Sequence, residues 1–135
     1  MEENYLPRTT RENLSADAYV SNRITNMFLT LGIPARIKGY RYLCEAVKIA
    51  VFDMKSLDRM TEDIYKKVAL RFEEENEKNV CRACAYAVNI ANDSGKMENL
   101  NKITGVIVYQ NKHERPSAGE FIAMIADRIR LDMIR

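Results

Sequence analysis

Apolar residues recur along this chain at three- and four-residue intervals, a period that predicts helices over most of its length. The first strong stripe is Val20, Ile24, Met27, Phe28 and Leu31, at i, i+4, i+7, i+8 and i+11. It predicts a helix over about residues 17–31, stopped by Gly32 and Pro34. A second helix is predicted over about residues 37–52, with Tyr40, Leu43, Cys44, Val47 and Val51 inward. Residues 54–60 read as a connector. Thr61 is the expected N-cap of a third helix, because its hydroxyl can accept from a free backbone N–H of the first turn. Glu62 and Asp63 then favour the positive end of the helix dipole. That helix carries Ile64, Tyr65, Val68, Ala69 and Phe72 on one side. After a polar break at residues 73–77, a fourth helix is predicted over about residues 78–93, with Val80, Cys84, Ala87, Val88 and Ala91 inward and Gly95 beyond its end. Residues 97–104 predict a short helix before Gly105. Residues 106–109 have strand character but no second strand to pair with, so they read as extended loop. The last helix starts at Ser117, whose hydroxyl forms a capping box with Glu120. Its apolar face is Phe121, Ile122, Ile125 and Ile129.

The pattern predicts an all-α fold: a compact helical domain of about six helices spanning residues 16–135 and containing a helix-turn-helix. Residues 1–15 are polar and are expected to form a flexible tail or the remnant of a linker. The 135 residues fit one domain, long enough to bury a core without a disulfide or metal staple. Five glycines and three prolines leave few breakers, in keeping with helices. No apolar run approaches the roughly 20 residues of a membrane span. The N-terminus lacks the basic and apolar regions of a signal peptide. A cytoplasmic location and no membrane contact are therefore expected.

Two adjacent helices of three to four turns, joined by a short break at residues 73–77, suggest the helix-turn-helix. Ala69 is the small residue expected to let the second of them approach closely. Subtracting the buried stripe from that second helix leaves Lys78, Asn79, Arg82, Tyr86 and Asn89 outward. Asn79, Arg82, Tyr86 and Asn89 are spaced i, i+3, i+7 and i+10 and line one side. Arg pairs bidentately with guanine and Asn with adenine, whereas Lys78 near the helix start suits a phosphate. An ordinary solvated face usually holds more Glu and Lys, and fewer Asn and Tyr. The net charge of +2 does not itself announce a nucleic-acid partner, so binding must rest on local charge. Arg36, Lys38 and Arg41, in the most basic stretch, are candidate phosphate contacts. Glu73, Glu74, Glu75 and Glu77 oppose this reading, because they would repel phosphates unless they point away.

Other chemistry is sparse. Cys81-Arg82-Ala83-Cys84 is a C-x-x-C pattern, but it lacks the α/β setting of a redox motif. A zinc site would need two further ligands, and the sole histidine, His113, sits in a distant loop, solvated or touching phosphate. Cys84 falls on the buried stripe, as a small hydrophobe does. No nucleophile–base–orienter set is visible, so neither an enzyme, nor a metal, nor a cofactor is expected.

The runs IPARIKGYRYLCEAV (residues 33–47) and EFIAMIADRIRLD (residues 120–132) closely resemble the C-terminal effector domain of the stage-zero sporulation response regulator of endospore-forming bacteria. The likeness covers roughly residues 20–133. It implies a six-helix domain whose helix-turn-helix binds double-stranded promoter DNA as a tandem, head-to-tail dimer and contacts the sigma subunit of RNA polymerase. It also implies control by a receiver domain, which this chain is expected to lack. Relatives read bases with a Glu-Arg pair followed three residues later by an Arg-His pair. With Gly95 on the family's matching glycine, those positions fall at Cys81 and Arg82, then Ala85 and Tyr86. Only Arg82 is kept. The inward positions Val80, Ala83, Ala87 and Ala91 match in character. The resemblance therefore implies a transcription regulator with an altered base-reading surface. The alternative is a protein-interaction module that keeps the fold but binds a relative or sigma factor instead of DNA.

Overall fold

The computed structural model describes residues 8–109 and 115–134. Six α-helices follow in order: α1 (Arg8–Thr30), α2 (Lys38–Phe52), α3 (Lys66–Arg71), α4 (Glu77–Asp93), α5 (Asn99–Thr104) and α6 (Ala118–Met133). Among the described residues there is no strand, and residues 106–109 are non-helical, as their missing partner predicted. His113 lies outside the described residues.

Helix α2 lies at the centre and packs against α1, α4 and α6. The stripes of α1, α4 and α6 read from periodicity are all buried. Phe28 of α1 meets Tyr40 edge-on at 5.6 Å and Phe121 of α6 at 5.7 Å. Each large apolar side chain taken fully out of water stabilises the fold by about 1.5–3 kcal/mol, so these rings anchor three helices at one point. The expected capping box starts α6: Ser117 Oγ accepts from Glu120 N–H at 3.2 Å, and Glu120 Oε1 accepts from Ser117 N–H at 3.1 Å. Arg23 Nη1 donates to Asp132 at 2.7 Å, and Arg128 pairs with the same carboxylate, which ties α1 to α6.

Three expectations need correction. Helix α1 begins at Arg8, so residues 8–15, expected as tail, are helical. Residues 17–19, ahead of the first buried position at Val20, are exposed, so the apolar stripe starts after the helix does. On α2 the buried face is Gly39, Tyr42, Leu43, Ala46, Val47, Ala50 and Val51. Tyr40 and Cys44, expected inward, are only half-buried. Glycine and alanine barely register in a hydrophobic pattern, yet they permit the closest packing. Finally, the connector is itself helical: a 3₁₀ segment (Met54–Arg59) runs into a π-helical turn (Met60–Tyr65) and then directly into α3. Thr61 therefore lies inside a continuous helical run and caps nothing.

Candidate nucleic-acid interface

The helix-turn-helix is built from α3, a turn, and α4. Its turn is set by backbone geometry. Glu74 N–H donates to the Ala69 carbonyl at 2.8 Å and Glu73 N–H to the Leu70 carbonyl at 3.4 Å, the paired bonds of a Schellman motif. The motif needs a left-handed residue between helix and exit, and Glu73 fills it with φ 56°. The chain then extends to Asn76, whose side chain accepts from Lys78 N–H at 2.8 Å and starts α4. Asparagine is among the best residues for that position.

Helix α4 is held from behind. Val80, Cys84, Ala87, Val88 and Ala91 are buried as predicted. A close approach to α4 is made by Gly39 of α2. A β-carbon on Gly39 would fall 2.1 Å from the Ala83 carbonyl oxygen and 2.9 Å from Ala87 Cβ. The α2 backbone thus rests directly on α4 and fixes its axis. Ala69 is buried and contributes the carbonyl that receives Glu74.

The opposite face is open. Lys78, Asn79, Arg82, Tyr86 and Asn89 are all exposed, and their spacing places them along one side of α4. Tyr86 leaves 61% of its surface to solvent, a high figure for an aromatic side chain without a ligand. Arg36, Lys38 and Arg41 are also exposed. Lys38 reaches the turn, with Nζ 3.9 Å from Glu74. Arg41 instead lines a groove of about 280 Å³ with Ser21, Cys44 and Phe72. The structure therefore brings Lys38 beside the start of α4 and turns Arg41 toward α1.

The four glutamates of the turn are not equivalent. Glu74 folds back against α2: Tyr42 Oη donates to its Oε2 at 2.5 Å, and Asn79 Nδ2 donates to its Oε1 at 3.4 Å. These hydrogen bonds, Tyr42 first, and the nearby Lys38 ammonium hold the Glu74 carboxyl below the usual carboxylate range. The same carboxylate raises the Tyr42 phenol. Periodicity missed this contact because it offered Tyr40, not Tyr42, as the inward tyrosine. A buried tyrosine hydroxyl usually finds a partner, and that rule is the signal that points to an acceptor nearby. The exposed cations Lys66 and Lys67 of α3 were also missed; Lys66 is paired with Glu62 at 2.9 Å.

The cysteines divide by burial. Cys81 is exposed on α4 and Cys84 is fully buried, its thiol pushed up to about 12 by desolvation and then by Cys81. Among the described residues no group of three or more His, Cys, Asp or Glu side chains could hold a metal. Among the described residues no helix is long and apolar enough to cross a membrane.

Residues 24–129 match the family model described as sporulation initiation factor Spo0A C terminal. The match takes in the C-terminal part of α1 (residues 24–30), all of α2 to α5 with the helix-turn-helix, and most of α6. At the family level this is a DNA-binding effector domain of transcription factors and not an enzyme. The chain belongs to the family of Spo0A C-terminal domains.

Proposed function

We propose that this protein is a sequence-specific DNA-binding transcription regulator that uses α4 as its recognition helix and reads a site different from that of its relatives. The observation that carries this reading is Arg82, exposed on the open side of α4 between Asn79 and Tyr86. It is the one residue of the family's base-reading set that the sequence keeps. Arg82 pairs bidentately with guanine, Asn79 and Asn89 with adenine, and Tyr86 adds an exposed ring for contact with bases or sugar. Lys78, Lys38, Arg36 and Arg41 supply phosphate contacts, which fix register without reading sequence. Cys81 and Ala85 stand where relatives read bases, so the usual family site is not the expected target. Tandem binding as a dimer, contact with sigma factor and a cytoplasmic location accompany this reading.

Selection from random-sequence DNA at physiological salt tests it. The expected result is an enriched motif, with affinity falling as salt rises because counterions are released from the phosphates.

A second reading is favoured by Leu70, which is 80% exposed on α3 beside the acidic turn. An exposed apolar side chain a few residues ahead of Glu73 and Glu75 in the chain suits a protein surface better than a phosphate backbone. On that reading the domain docks on sigma factor or on a relative. No enriched DNA motif, together with salt-insensitive capture of such a partner through Leu70, would favour it.

A further inference from the structure

The acidic turn contains a carboxylate that two hydrogen-bond donors share, with an ammonium close by. The Schellman turn sends the residue after its left-handed position back toward the preceding helix, and here that residue is Glu74. Its side chain keeps only 18% of its surface in solvent. Tyr42, itself 4% exposed, fixes one oxygen at 2.5 Å. The other oxygen receives Asn79 Nδ2 at 3.4 Å. Lys38 stands 3.9 Å from the Tyr42-bound oxygen. Tyr42 belongs to α2, which rests on α4 without slack at Gly39 and Ala83. The carboxylate is therefore anchored to the scaffold on one side and to the reading face on the other.

We infer that Glu74 is a positioning residue for base recognition: anchored by Tyr42, it holds the Asn79 amide in the orientation that reads adenine. The inference rests on the DNA-binding reading above. An asparagine amide carries two N–H donors and one carbonyl acceptor. Adenine recognition uses one N–H toward N7 and the carbonyl toward the N6 amino group. The bond to Glu74 takes one N–H and restrains the amide plane in advance; the positioning role requires that it be the N–H turned away from the carbonyl, which leaves the adenine-reading pair available. A side chain ordered before binding gives up less freedom on binding. The same fold-back turns one of the four negative charges inward, onto Tyr42, Asn79 and Lys38. Glu74 thus supports recognition from a turn whose charge otherwise opposes it.

The test is a double-mutant cycle between Glu74 and Asn79, read as base preference on the selected motif. Asn79→Ala is expected to lower discrimination at one adenine position by about 5- to 160-fold, the range for a bidentate contact. Glu74→Ala should lose most of that discrimination at the same position, and adding Asn79→Ala to it should remove only the remainder, so that the double variant matches Asn79→Ala alone. Glu74→Gln should restore the preference, because its amide oxygen still accepts from Asn79 while its N–H donates to Tyr42. That rescue separates positioning from charge, since Gln and Ala both remove the negative charge. Tyr42→Phe should act in the same direction as Glu74→Ala. All variants are compared below their melting temperatures.

The inference is overturned if Glu74→Ala keeps the adenine preference, even when its overall affinity rises. It is overturned equally if the two substitutions act additively, or if Asn79→Ala changes no base preference. A parent protein that enriches no motif overturns the DNA-binding reading together with this one. A parent that enriches a motif, with an additive cycle, overturns only the role of Glu74.

Discussion

Two helices in this domain end in the same backbone motif, and the residues that fill it could hardly differ more. At the end of α1, Gly32 takes the left-handed position with φ 75°, and Ile33 N–H returns to the Phe28 carbonyl at 3.0 Å. At the end of α3, Glu73 takes that position with φ 56°, and Glu74 N–H returns to the Ala69 carbonyl at 2.8 Å. The first pair is the one stability asks for. Glycine adopts left-handed backbone without a steric cost, and the residue after it usually packs an apolar side chain against the helix; Ile33 is buried. The second pair departs from both preferences. Glutamate at positive φ is strained, and a carboxylate replaces the apolar contact. The strained junction leads into α4, the proposed recognition helix, whereas the relaxed one joins two scaffold helices. Local rules are broken here where the proposed function lies, as a natural sequence tends to do.

The comparison is sharpest where it predicts large effects. Ile33→Ala should cost about 3 kcal/mol of unfolding free energy, because it removes a buried side chain from a packed core. Urea denaturation measures this, and a loss below about 1 kcal/mol would show that the apolar return is not part of the core. The same variant should keep the base preference of the parent in DNA selection. Arg82→Ala should do the opposite. Its exposed position predicts a stability change within about 0.5 kcal/mol, while specific DNA binding falls by about 1–3 kcal/mol at one guanine. Equal affinity of mutant and parent for the selected motif would remove Arg82 from the reading face.

How much of this was legible in the sequence follows the same division. The Ser117–Glu120 capping box and the buried stripe of α4 follow from short-range pattern, so the sequence gives them away. Gly32 is readable for the same reason, as a breaker after an apolar stripe. Gly39 is not, because its meaning lies in Ala83 of another helix. The 3₁₀ and π segments before α3 were hidden because neither follows the 3.6-residue period. At the candidate site, residue type and spacing offered Lys78, Asn79, Arg82, Tyr86 and Asn89, and all five are exposed. The contact between Tyr42 and Glu74 spans 32 positions. No local rule reaches that far, so the sequence leaves open which glutamates of the turn would meet phosphates and which point away.

Smaller effects test the two left-handed positions directly. Gly32→Ala should cost about 1–2 kcal/mol. The new methyl must accept φ 75° and sit 3.1 Å from both Ser94 Oγ and Lys96 Cδ. Thermal melting reads the loss, and an unchanged midpoint would mean that the loop after α4 yields without cost.

Glu73→Gly should move stability the other way, by up to about 1 kcal/mol. Relief of the left-handed strain is worth about 1–2 kcal/mol, and the extra freedom of glycine in the unfolded chain returns about 0.5–1 kcal/mol of it. Charge offers a competing cause, because Glu73 has Glu74, Glu75 and Glu77 close by in sequence. Two further variants separate the causes. Glu73→Asn removes the charge and tolerates left-handed backbone, whereas Glu73→Gln removes the charge and does not. If strain dominates, Asn and Gly stabilise while Gln leaves the midpoint nearly unchanged. If Gln stabilises as much as Gly, repulsion within the turn is the cause, and the contrast with Gly32 is one of charge rather than conformation. The backbone account also requires that all three variants keep the parent's base preference, because Glu73 sets the path of the turn while Glu74 faces the reading helix.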